Sequence, residues 1–200
     1  MEARMNQIPK IKITVSLFAL IMVLSLVFAR AYLSLAALLA AALHELGHIG
    51  AARVCRVRFS ALKLNIFGAS LSSNGEIPSY RQEIFIAACG PAANLFCVAV
   101  MAIFASHSKL TATFISASLM LALINLLPIY ELDGGRILFS TLALKTNYGV
   151  ALALLKISSF VLIFALWTLS VYLLLRLGAS LSLFVFSAYL FCRIFISART

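Results

Sequence analysis

Two histidines and a glutamate stand together in Leu43-His44-Glu45-Leu46-Gly47-His48, at the end of an apolar run. On a helix, residues four apart share a face, so His44 and His48 can offer two imidazole nitrogens to one metal ion. Glu45 is turned about 100° from His44, near enough to reach a water on that metal without displacing it. A metallohydrolase needs this arrangement: two nitrogen ligands to Zn2+ and a carboxylate that takes a proton from the attacking water. A packing role is a poor explanation, because three ionisable side chains in an apolar span are costly and are kept for function.

Catalytic zinc takes three protein ligands and keeps a fourth position open, so a further donor is expected at the same depth. His107 falls at the opposite end of its apolar run, and Glu76 and Glu83 lie at an interface with nothing to anchor them. The best candidates are in Asn125-Leu126-Leu127-Pro128-Ile129-Tyr130-Glu131-Leu132-Asp133-Gly134-Gly135-Arg136. Pro128 breaks a helix and Gly134-Gly135 permits a tight turn, so a carboxylate can swing inward there. Asp133 is favoured by its flanking glycines, with Glu131 as the alternative.

The elements that must position these residues are membrane spans. Of 200 residues 64% are hydrophobic and only 11% charged, against about 25% charged in an average soluble domain. Six runs of near-spanning length divide the chain: residues 13–29, 33–52, 82–105, 110–128, 149–175 and 179–197. They nearly fill it, which predicts an all-α multi-pass membrane protein with one integral-membrane domain over 1–200 and no soluble appendage. The net charge of +10 is distributed as punctuation between apolar runs and not as a basic face, which argues against nucleic acid. Twelve Lys and Arg fall on one side of the six spans and three on the other. By the positive-inside rule both termini are then cytoplasmic, in the cell membrane. Residues 57–77 alternate polar and apolar side chains, with Gly68 and Asn74-Gly75 as turn signals. A short β-hairpin or re-entrant loop on the cytoplasmic side is expected there. Cys55, Cys89, Cys97 and Cys192 form no Cys-x-x-Cys pair and read as packing residues.

The His44-Glu45-Leu46-Gly47-His48 run, with Gly90-Pro91-Ala92-Ala93-Asn94, Asn125-Leu126-Leu127-Pro128 and Leu132-Asp133-Gly134-Gly135 after it, resembles the site-2 protease family of intramembrane zinc metalloproteases. The resemblance covers a core of about residues 33–140. It implies one Zn2+ per chain held by His44, His48 and Asp133, with Glu45 as general base. It also implies that Asn94 and Asn125 lie beside the site or contact substrate, and that 57–77, with Gly68, is a β element whose edge pairs with an extended substrate. Glu131 departs from the family, whose members often have proline or an apolar residue there, and neither a PDZ nor a CBS module is expected. The arrangement of spans looks most like the sporulation branch that processes a membrane-tethered pro-sigma factor.

The expected activity is therefore hydrolysis of a peptide bond in a membrane-embedded or membrane-tethered substrate near the cytoplasmic face. Regulated proteolysis of a transcription-factor or sigma-factor precursor would be its setting. The expected partners are a membrane-protein substrate and the lipid bilayer, with a regulatory membrane protein as a further candidate. Two non-proteolytic readings compete, an inactive membrane scaffold and a metal transporter. A transporter would need polar residues through both leaflets, whereas the outer halves of these spans are almost purely apolar. A different metalloprotease class, with a glutamate as third ligand, would use Glu131.

Overall fold

The computed structural model describes residues 12–15, 31–57, 59–65, 68–73, 78–104, 108–177, 184–185 and 187–191. Apart from three strands, the regular elements of this described chain are helices: α1 (Ala31–Val54), α2 (Tyr80–Phe104), α3 (Lys109–Asn125), α4 (Asp133–Ala143) and α5 (Tyr148–Leu177). Helices α1, α2 and α5 are long and apolar enough to cross a membrane. Side chains such as Phe96, Ile103 and Leu175 are left largely exposed on them, as lipid-facing residues are.

Each helix ends for a local reason. The terminus of α1 is a Schellman motif: the Val57 amide donates to Ala52 O at 3.0 Å and the Arg56 amide to Arg53 O at 3.1 Å. Arg56 takes the left-handed turn, φ 57°, that glycine would occupy at lower cost. A capping box opens α2. The Ser79 amide donates to Gln82 Oε1 at 2.9 Å and the Gln82 amide returns to Ser79 Oγ. Gln82 Nε2 also donates to Cys55 O, which ties the start of α2 to the end of α1.

Helix α3 begins at Ser108, whose Oγ accepts from the Thr111 amide. It stops at Asn125, three residues short of the end expected for the fourth span. The residue before a proline is pushed out of helical geometry, and Pro128 lies just ahead. With 17 residues it rises only about 25 Å. The chain then crosses to α5, where Ser159 Oγ accepts from the Tyr130 amide at 2.8 Å and Ser158 Oγ donates to Pro128 O at 3.0 Å. Asn147 caps α5 by accepting from the Val150 amide.

Helices α1, α2 and α3 pack against one another, α4 packs against α2, and α5 against α4. Ala36, Ala40 and Phe114 are buried at the junction of α1 and α3, with Cys97 and Met101 of α2 beside them. Alanines at such contacts let backbones approach closely, which is how helices associate in lipid. Ile129 and Leu132 of the α3–α4 connection are buried against Ile163 of α5 and Leu190.

The second, third and fifth expected spans therefore coincide with α1, α2 and α5 to within two residues at each end. The first does not begin as expected: residues 13–15 belong to strand β1 (Lys12–Val15), and its remainder lies outside the described residues. The sixth also lies outside them, except for helical residues at 184–185 and 187–191. Residues 59–73 hold β2 (Phe59–Asn65) and β3 (Gly68–Ser73), which pair antiparallel with Asn65 opposite Gly68. Strand β1 pairs parallel with β2, so the sheet order is β1-β2-β3, and β3 touches α1. Helix α4 has no counterpart among the expected spans. Gly134-Gly135 is expected to form a tight turn, yet here both glycines are inside the first turn of α4.

Candidate metal centre

His44 and His48 project from successive turns of α1 and meet edge to face, with ring centroids 4.7 Å apart and planes at 85°. Their Nε2 atoms are 3.1 Å apart. Asp133, the first residue of α4, brings Oδ2 to 3.0 Å from His44 Nε2 and 3.1 Å from His48 Nε2. All three side chains are buried. Three donor atoms thus form a nearly equilateral triangle between two helices that are far apart in sequence.

That triangle fits a metal. Ligands about 2.0 Å from a tetrahedral zinc ion are about 3.3 Å from one another, close to the separations seen. The chemistry agrees with the spacing. The Nδ1–H of His48 donates to Ile86 O at 2.8 Å, which leaves its Nε2 as a lone pair facing the triangle. A lone pair and a carboxylate converging in a buried space call for a shared cation. The same three residues are a cluster with metal-ligating spacing among those described. His44 Nδ1 is buried without a partner among the described residues. Burial pushes the Asp133 carboxyl up, but hydrogen bonds from His44 and His48, which require a proton on Nε2 where a metal would otherwise bind, outweigh it and hold the group well below the usual carboxylate range. The N-terminus of α4 favours the same anion.

Close backbone packing makes the triangle possible. A Cβ at Gly90 would run into the imidazole of His48, so α2 presents bare backbone there. A Cβ at Gly134 would meet Leu126 O, so α4 can start tight against the end of α3 and aim Asp133 inward.

The other expected residues are placed as follows. Glu45 is half-buried on α1 beside His44. Asn94 is fully buried on α2, one turn from Gly90, with both amide atoms unpartnered among the described residues. Asn125 ends α3 and donates Nδ2 to Leu121 O at 2.9 Å. Gly68 opens β3. Glu131 is half-buried and is not one of the three clustered residues. Glu83 pairs with Arg136 at 2.8 Å, and Arg136 Nη1 donates to Asp133 Oδ1 at 3.2 Å. Neither Arg136 nor the Ile86 carbonyl is evident from the sequence as part of the site. The i,i+3 spacing of Asp133 and Arg136 is the one available signal. His107 and Glu76 lie outside the described residues. Cys55, Cys89 and Cys97 are free thiols.

The model of peptidase family M50 matches residues 32–110 and 101–169. No curated protein matches the chain. Among solved structures, the fold is similar to the site-2 protease from Methanocaldococcus jannaschii. The TM-score is 0.61 at 24% identity, over 99% of this chain and 95% of that one. The family match spans more than half of the sequence and includes His44, His48 and Asp133, so this chain belongs to peptidase family M50, the site-2 protease family of membrane metalloproteases.

Proposed function

We propose that this protein is a zinc-dependent intramembrane endopeptidase, with one Zn2+ held by His44, His48 and Asp133. The observation that carries the reading is the buried triangle of two imidazole nitrogens and one carboxylate oxygen, 3.0–3.1 Å on each side. Bound there, zinc supplies a Lewis acid for the scissile carbonyl and acidifies the attacking water. Glu45 takes the water's proton and later delivers one to the leaving amine. His48 keeps its ligating nitrogen bare because Ile86 O holds the other one protonated. Asn94, buried one turn from Gly90, stands beside the site, and Asn125 supports the end of α3.

The site would open towards the cytoplasm. His48 lies five residues before Arg53, about 7.5 Å along the helix, and the basic bias of the connections places that end inside. Six spans, with both termini cytoplasmic, complete the topology. The substrate is a membrane-embedded or membrane-tethered protein, unwound for cleavage. The β2–β3 unit, which neighbours α1, is suited to pair with it as an added strand. Processing of a transcription-factor or sigma-factor precursor fits such a cut.

The test compares membranes of cells that carry the wild type or Glu45→Gln. A membrane protein should accumulate uncut, and co-purify, only with the variant. Zinc bound at one ion per chain without cleavage of any membrane protein would replace this reading with that of an inactive scaffold. Metal flux in vesicles would replace it with transport.

A further inference from the structure

The two oxygens of Asp133 are held in different ways. Oδ2 faces the histidines, while Oδ1 accepts from Arg136 Nη1 at 3.2 Å. Arg136 is itself held: its Nε and Nη2 both lie 2.8 Å from Glu83 Oε1. Glu83 is in the first turn of α2, and Ile86, whose carbonyl fixes His48, comes three residues later on that helix. Gly90, against which His48 lies, is four further on. Positions 83, 86 and 90 repeat at helical spacing and form one face. A single stripe of α2 therefore controls one ligand from α1 and another from α4.

We propose that the Glu83–Arg136 pair is a positioning relay for the metal centre. It holds Asp133 Oδ1 so that the carboxylate offers Oδ2 alone to the triangle. The proposal rests on the metal reading above. A guanidinium is suited to the task because its planar fork reaches two carboxylates at once from fixed directions. Without it, the Asp133 carboxylate can rotate about its terminal torsion and present either oxygen or both. The bridge is half-buried, with the Arg136 side chain 37% exposed and that of Glu83 24% exposed, so its effect is one of direction more than of charge. A tie serving only to fasten α2 to α4 would look similar, and the two roles separate by experiment.

Full-length protein in detergent micelles would be assayed for zinc affinity by chelator competition, and for its visible spectrum with cobalt in place of zinc. Arg136→Ala is expected to weaken zinc binding by about 10- to 100-fold, the range for lost outer-shell partners, and to shift the cobalt bands. Glu83→Ala should act in the same direction but add nothing when combined with Arg136→Ala. Should Arg136→Ala fail to fold, Glu83→Gln decides, with a several-fold loss of zinc affinity expected. Unchanged affinity and an unchanged cobalt spectrum in whichever of these variants folds would overturn the relay, even where thermal stability drops. So would losses that add in full in the double variant. If zinc binding is lost in His44→Ala but not in Arg136→Ala, only the relay fails. If the wild type takes up no zinc, the metal reading fails with it.

Discussion

Asp133 is a carboxylate in a place water hardly reaches, and both of its oxygens have partners. Removing its charge while keeping its shape is therefore informative. Asp133→Asn should lower zinc content far more than it lowers the yield of folded protein, as measured by elemental analysis of the purified chain. Glu45→Gln should do the reverse in kind: zinc is retained, and cleavage of a membrane peptide falls by about 10²- to 10⁴-fold. The histidine pair was legible because i,i+4 spacing is a local property of a helix. Asp133 was legible only as one of two carboxylates, and its preference over Glu131 rested partly on the neighbouring glycines and partly on the resemblance to a known family. Glu83 and Arg136 were opaque, since their contact joins residues 53 apart and a sequence pattern does not report such a distance.

At the scale of elements, the site depends on a helix that stops early and another that starts where the sequence suggests a break. The connection between α3 and α4 is pinned by Ser158 and Ser159 of α5. Ser159→Ala leaves the Tyr130 amide unpaired and should cost about 1–3 kcal/mol, read from unfolding in detergent. Gly90→Ala drives a methyl group into His48, and a strong loss of zinc binding is expected with the helix content by circular dichroism intact. At the end of α1 the sign reverses. Arg56→Gly relieves a left-handed residue and should stabilise by about 1 kcal/mol. Apolar length located α1, α2 and α5 well because lipid-crossing helices need an uninterrupted run. It failed for α4, which is short and opens on two glycines, and for β1, where Ile13, Thr14 and Val15 merge with the apolar residues that follow.

For the whole molecule, the positive-inside rule turns the distribution of Lys and Arg into a prediction of orientation. The α4–α5 turn at residues 145–147 is exposed, and the proposed topology places it in the cytoplasm. A reporter that is active only in the cytoplasm should therefore be active when inserted there, and inactive when inserted near Lys109. The centre itself is assembled from distant parts of the chain. The partners in the triangle are 85 and 89 positions apart, with two helices and a sheet made between them. During synthesis the spans leave the ribosome in order, so the histidines enter the membrane long before Asp133 is translated. A growing chain thus carries an incomplete set of ligands until α4, which begins at Asp133, emerges. A chain stopped before α4 is therefore expected to lack one of the three ligands and to bind no zinc at this triangle, however much of α1, α2 and α3 has formed.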